Sequence, residues 1–257
     1  MMRAAARRRW RLWLASILAL FLCGPALVGV SGAISLDADW RTANRDSVGL
    51  APAPAQTPEA LIQLYAARAF NWRGLFAVHT WLATKAAGAD HYVVHQVVGW
   101  NLRNRGTVVA SGPDLPDRRW YDAEPHLLGE LRGAPAAALI DEVAAAVVRY
   151  PYAAEYGLWP GPNSNTFIAF VLREVPGLGF ELPATAIGKD YLGEGAGLAR
   201  APSGTGMQAS LGGMLGLLAA RSEGLELNFF GAVFGLDPLG PAVKLPGIGR
   251  VGFTWFE

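Results

Sequence analysis

The sequence predicts an α+β fold, an antiparallel sheet with packed helices, preceded by an N-terminal transmembrane helix. Three observations predict it: a long uncharged run behind a cluster of arginines, two valine- and aromatic-rich stretches joined by a glycine-containing turn, and two later segments with apolar residues at helical spacing. At 257 residues, 52% hydrophobic and 17% charged, the chain is no disordered protein and has room for one main domain with appendages.

The first observation concerns residues 1–36. Arg3, Arg7, Arg8, Arg9 and Arg11 precede an uncharged run over residues 12–36, longer than the roughly 20 apolar residues that a bilayer core requires. By the positive-inside rule the arginines stay in the cytoplasm and everything after the run is exported. Two readings of the run stay open. A cleaved signal peptide is supported by the leucine-rich part at 12–22, the Gly24-Pro25 break and the small residues Ser31, Gly32 and Ala33. A retained anchor is supported by the length and by Trp10 and Trp13, placed where interfacial tryptophans belong, and is the preferred reading. A lipoprotein signal does not fit, because Leu22 stands just before Cys23 where a small residue is wanted.

Residues 37–58, polar and then alternating proline with alanine, read as a semi-extended linker to a globular domain over 59–257. In "TPEALIQLYAARA", Thr57 suits an N-cap, Pro58 the first helical position, and Leu61, Ile62, Leu64 and Tyr65 the apolar side of a short helix. "GLFAVHTWLATK" and "HYVVHQVVGWNL" follow as a strand pair around the turn "AAGAD". "APAAALIDEVAAAVVRY" is a helix ending at Pro151, and "NTFIAFVLREVPG" another, closed by Pro176-Gly177.

The glycine-rich tail reads as a long hairpin, 207–219 pairing with 225–236 and the alternating large residues buried on one face, rather than as a second membrane span. "GIGRVG" has the form G-x-G-x-x-G, but a dinucleotide fingerprint needs a strand before it, a helix after it and an acidic residue about 20 positions on. Its flanking Pro246 and Phe253 suggest a terminal turn and strand.

Composition narrows the chemistry. The single cysteine, Cys23, lies in the apolar run, so the domain has no cysteine nucleophile, and a net charge of +1 with much of the basic charge at the N-terminus argues against nucleic acid as a partner. His79, His91, His95 and His126 form no i, i+4 pair on a helix, so no metal site is expected, and no motif calls for a cofactor.

With a five-residue turn, Trp81 faces His95 and His79 lies diagonally across from His95 on the same face. A shift toward a shorter turn puts Gln96 opposite His79, and the opposite shift supplies only Val98. Alternatively His79 is a partly buried strand histidine bonded to backbone. Ser164 lies at the mouth of the second helix, where backbone N–H groups near Asn165 and the helix dipole would stabilise an oxyanion, or where it simply caps the helix. "GKDY", residues 188–191, is either a polar site element or a salt-bridged turn, the turn being preferred.

The motifs "HTWLATK", "VVGW", "PDRRWY", "YPYAAEYGLWPGPNSNTF", "LPATAIGKDYLG", "APSGTG" and "DPLGPAVKLPGIGR" resemble an uncharacterised bacterial family, domain of unknown function 3750. More distantly, a histidine opening a strand, a polar residue on the next strand and a downstream helix start resemble the circularly permuted papain-like proteins, the NlpC/P60-like superfamily that includes LRAT-like acyltransferases. That resemblance implies a permuted papain-like fold, with His79 as general base, His95 as the orienting residue and Ser164 where the superfamily has cysteine.

Serine needs an effective base to lose its proton during attack, so the exchange implies either a rebuilt serine site or a scaffold without catalysis. The expected protein is a single-pass component of a bacterial inner membrane with its C-terminal domain periplasmic. Its partners would be the membrane, through the N-terminal helix, and an envelope substrate carrying an ester or amide. It would act as a hydrolase or acyltransferase, or as a non-catalytic binding or assembly protein that keeps the groove, with Ser164 only a helix cap.

Overall fold

The computed structural model describes residues 2–252, with the side chains of residues 2–9 and of Leu12, Leu14 and Ile17 left aside, so that most of the arginine cluster lies outside the described side chains. Helix α1 (Met2–Val30) leads into β1 (Leu61–Arg68), β2 (Val78–Lys85), β3 (Val93–Val97), the short α2 (Asn101–Arg105), β4 (Val109–Pro113) and β5 (His126–Arg132). Helices α3 (Ala134–Val148) and α4 (Ser164–Glu174) follow. The chain then runs through β6 (Ala196–Arg200), β7 (Gly206–Leu211), β8 (Leu215–Ala220), β9 (Gly224–Phe229), β10 (Ala232–Asp237), β11 (Ala242–Leu245) and β12 (Gly249–Gly252). Strands β1 to β5 form one antiparallel sheet in the order β4-β3-β2-β1-β5, and β6 to β12 form a second, in which each strand pairs with its sequence neighbour.

This corrects the expected class. In place of an α+β, permuted papain-like arrangement with one antiparallel sheet, the chain is β-rich, with two antiparallel sheets and few helices. The expected transmembrane helix is not found either: among the described residues no helix is long and apolar enough to cross a membrane. Instead α1 is held against the domain. The Phe21 ring lies 6.0 Å from Phe229 and 5.2 Å from Phe234. At Gly24 a Cβ would stand 2.0 Å from the Pro246 carbonyl oxygen, so the residue that looked like a signal-peptide break is where the helix backbone meets the turn before β12.

Two local expectations fail because a local pattern does not say what covers a segment. The segment read as a first helix is β1, the strand between β2 and β5, with residues 61–67 all buried. A strand covered on both faces is a continuous apolar run, which periodicity cannot tell from a buried helix. The tail is a meander of short strands rather than one hairpin, and its alternating large residues face outward. "GIGRVG" does form a turn and strand, at β12.

The main core lies where α3 and α4 cover one face of the first sheet, with Leu64, Leu82, Val143, Phe167, Ile168 and Leu172 fully buried. On the opposite face Leu61, Tyr65, Trp81 and Tyr92 are covered by Ala51, Trp120 and Ala123. The segment 37–58 therefore lies along the domain, and Asp117 fixes it by accepting hydrogen bonds from the Leu50 and Ala51 N–H groups at 2.6 and 3.1 Å.

Candidate functional site

Helix α4 begins with a capping box that does not involve the Ser164 hydroxyl. The cap is Asn163, whose Oδ1 accepts from the N–H groups of Asn165 and Thr166 at 3.0 and 3.2 Å, while Thr166 Oγ1 accepts from the Asn163 N–H at 3.1 Å. Gly188 makes room for this cap. Its φ is +102°, and a Cβ there would come within 2.3 Å of the Asn163 amide. Ser164 is the first helical residue, buried, and neither its hydroxyl nor its backbone N–H has a hydrogen-bond partner among the described residues.

Asn165 has a different task from the one its position suggested. Its N–H is taken by the cap. Its side chain donates to the Val78 and Ile187 carbonyls at 2.9 and 2.8 Å and accepts from Thr80 Oγ1 at 2.9 Å, which ties α4 to β2 beside His79. The N–H left to face an oxyanion at this helix end is that of Ser164 itself.

The hairpin register places the two histidines apart. Leu82 pairs with His95, one residue away from the Trp81–His95 pairing of a five-residue turn and in the direction of a longer turn. His95 consequently points to the other face, where its ring nitrogens lie 3.2 Å from Thr84 Oγ1 and 2.8 Å from Ser111 Oγ. It does not orient His79. That part falls to Gln96, diagonally across the strand pair, whose Oε1 is 3.1 Å from His79 Nε2. An amide oxygen only accepts, so Nε2 carries the proton and the lone pair resides on Nδ1.

Burial lowers the His79 pKa to about 4, with the Gln96 hydrogen bond acting in the other direction, and burial likewise lowers that of His95 to about 4. Both rings are neutral at neutral pH.

His79, Ser164, Asn163 and Asn165 line one cleft of about 980 Å³. Its walls are aromatic: Phe70, Trp100, Trp120, Tyr156, Trp159 and Phe230 all contribute, and Phe21 and Leu22 of α1 complete one side. No hydrogen bond joins Ser164 to His79 among the described residues, so the structure brings the two into one cavity without a direct contact. The aromatic wall was not foreseen as part of the site. Trp120 and Tyr121 of "PDRRWYD" and Trp159 of "LWPGP" were visible as turn-flanking aromatics, but nothing local says that they converge. "GKDY" is a buried turn rather than a site element, with Lys189 paired to Glu226 at 2.6 Å. Among the described residues no three His, Cys, Asp or Glu side chains gather as a metal site.

No curated protein and no solved structure matches the chain. One family model does, over residues 59–191, just over half of the chain, a span that holds His79, Gln96 and Ser164 and ends before the second sheet begins. The chain belongs to the family described as Protein of unknown function (DUF3750).

Proposed function

We propose that the cleft hydrolyses or transfers an acyl group held in an ester or amide, with Ser164 as nucleophile and His79, oriented by Gln96, as general base. The observation that carries this reading is the Ser164 hydroxyl at the N-terminus of α4, without a hydrogen-bond partner among the described residues and in the same apolar cleft as a neutral imidazole whose other nitrogen is tied to Gln96. A serine serving as the cap would be bonded to its own helix, and here Asn163 does that work.

In the reaction Ser164 Oγ adds to the substrate carbonyl carbon and its proton passes to His79 Nδ1. The oxyanion meets the Ser164 N–H and the positive end of α4. The tetrahedral species collapses as His79 returns the proton to the departing alcohol or amine, and water or an acceptor alcohol then takes the acyl group from the serine by the reverse sequence. The hydrogen bond between Ser164 and His79 forms when substrate fills the cleft, as catalytic hydrogen bonds commonly align only in the complex. The aromatic wall suits an apolar acyl chain. The uncharged run after the arginines supports a substrate drawn from the cell envelope.

An alkyl fluorophosphonate tests this directly. It should label the wild-type protein and fail to label Ser164→Ala and His79→Ala. A folded wild-type protein that takes up no probe would overturn the catalytic reading and leave a groove that only binds.

A further inference from the structure

The second sheet has its polarity reversed. Inward positions carry Gln208, Glu226, Asn228 and Lys244, all buried, and Glu226 is clasped by Lys189 and Lys244 at 2.6 Å each. Burial pushes the Glu226 carboxyl up, but the two ammonium groups outweigh it and hold the group ionised. Every outward position of β7 to β11 is apolar. Leu211 pairs with Leu215, Leu217 with Leu227, and Leu236 with Val243, and with Ala209, Ala219, Phe229 and Phe234 between them the outward rows are apolar across these strands. At the centre Leu217 and Leu227 are 52% and 54% exposed.

Strands β7 to β11, four to six residues long, about 4.8 Å apart and rising about 3.3 Å per residue, give an apolar face on the order of 450 Å². The exposed apolar side of α1 enlarges it to a patch of the size that marks an interaction surface, and an antiparallel sheet ordinarily turns its polar side to water.

Two features indicate what covers this face. The first is continuity with α1. Phe21 packs on Phe229 and Phe234, so the exposed Leu18, Leu20 and Leu27 of the helix extend the same apolar surface along a sequence with no charge over residues 12–36. The second is charge at the margin. Arg11 of α1, Arg200 at the end of edge strand β6 and Arg221 in the turn after β8 are all exposed. A second copy seated on this face would bring arginine rims together. An anionic lipid surface would meet them with opposite charge.

We propose that the outer face of the second sheet, together with α1, docks on a lipid bilayer, its leucines entering the acyl-chain boundary and the arginines meeting anionic headgroups. The proposal is independent of the chemistry assigned to Ser164. It gives the sheet, which lies outside the span shared with the family model, a task of its own.

The test uses the full chain with Cys23 replaced by serine and single cysteines placed at Leu217, at Leu227 or, as a control, at the exposed Ala144 of α3, each labelled with an environment-sensitive fluorophore. On addition of vesicles of phosphatidylethanolamine and phosphatidylglycerol, the probes at 217 and 227 should shift to the blue, lose iodide quenching several-fold and become quenchable by doxyl groups on the lipid chains. The probe at 144 should do none of these. Membrane-bound protein whose sheet probes stay open to iodide would show that α1 binds alone and would overturn the proposal. So would shielding of positions 217 and 227 before any lipid is added, accompanied by a dimer mass, because the face would then belong to a second copy. Leu217→Glu with Leu227→Thr, two changes at exposed positions that set no like charges opposite each other and should leave the thermal midpoint nearly unchanged, should reduce flotation with the vesicles several-fold. Undiminished flotation of that variant would also count against the sheet.

Discussion

The imidazole of His79 lies flat on the indole of Trp120, ring centroids 3.6 Å apart and planes 9° from parallel. Trp120 arrives from the connection between β4 and β5, where its backbone pairs with Ala123 in an isolated bridge. Trp81, two residues along β2 from His79, stacks more loosely at 5.7 Å. The indole strips water from one face of the ring while Gln96 fixes its rotation in the plane, so the stack and the hydrogen bond together leave His79 a single neutral orientation. Desolvation is the cause of its lowered pKa, and Trp120 supplies part of that desolvation.

Replacing Trp120 with leucine should therefore raise the His79 pKa from about 4 toward the ordinary 6.5 by readmitting water to the ring. The measurement is the ring-proton titration of His79 by NMR. If Ser164 reacts through His79, the acid limb of fluorophosphonate labelling should move upward with it, because the base is lost to protonation at a higher pH. A titration midpoint unchanged in the variant would mean that the surrounding strands, not the indole, keep the ring dry.

The start of α4 separates a structural residue from a chemical one. Asn163 accepts two backbone N–H groups and donates to the Leu158 and Ile187 carbonyls, both at 3.2 Å. Asn163→Ala should lower unfolding stability by about 1–2 kcal/mol, the range for loss of a cap. Ser164→Ala removes a hydroxyl with no partner among the described residues and should change stability by less than about 0.5 kcal/mol while abolishing any labelling. Urea unfolding of the two variants decides it. A Ser164→Ala cost equal to that of Asn163→Ala would return the serine to a capping role.

Legibility in the sequence followed how local each signal was. Helices α3 and α4 were readable because apolar spacing and the closing prolines lie within the segments themselves. His79 on a strand and Ser164 at a helix mouth were readable locally, whereas their pairing as a site came from the resemblance to the permuted papain-like proteins and their shared cleft depends on α4 packing against β2. Asn163 rather than Ser164 as the cap was a one-residue ambiguity inside "NSN", decided by Thr166, which completes the capping box with Asn163. Strand β1 was misread because its two faces are covered by α3 and α4 on one side and by Ala51, Trp120 and Ala123 on the other, cover that the segment itself does not reveal. The hairpin register turned on a single residue of turn length, and that residue moved His95 to the far face and gave its expected role to Gln96. The outward leucines of the second sheet were read as core because alternation says which residues share a face and not which face is inside. Glu226 and Lys244, at the intervening positions, carried the missing information: two opposite charges facing the same way mark a side where they can pair with each other and with Lys189.

His95 should leave a signature in the pH dependence of folding. Its folded pKa is about 4, lowered by burial, against an unfolded value near 6.5. Above about pH 6.5 neither state holds the proton, and His95 costs nothing. As the pH falls from there toward about 4 the unfolded chain takes up a proton that the folded chain refuses, so stability is lost on acidification, at no more than about 1.4 kcal/mol per pH unit. Below about pH 4 both states are protonated and the loss stops growing.

His79 contributes in the same direction. Asp190, raised to about 6 by burial, contributes in the opposite one, because its folded form binds the proton first. A comparison with His95→Asn cancels these common contributions, and asparagine can still meet Thr84 and Ser111. The expected outcome is two urea-unfolding stability curves that are parallel above about pH 6.5 and converge or cross as the wild type falls faster toward about pH 4.5. Curves parallel throughout would show that His95 takes up its proton as readily in the folded chain as in the unfolded one, and would overturn the lowered pKa.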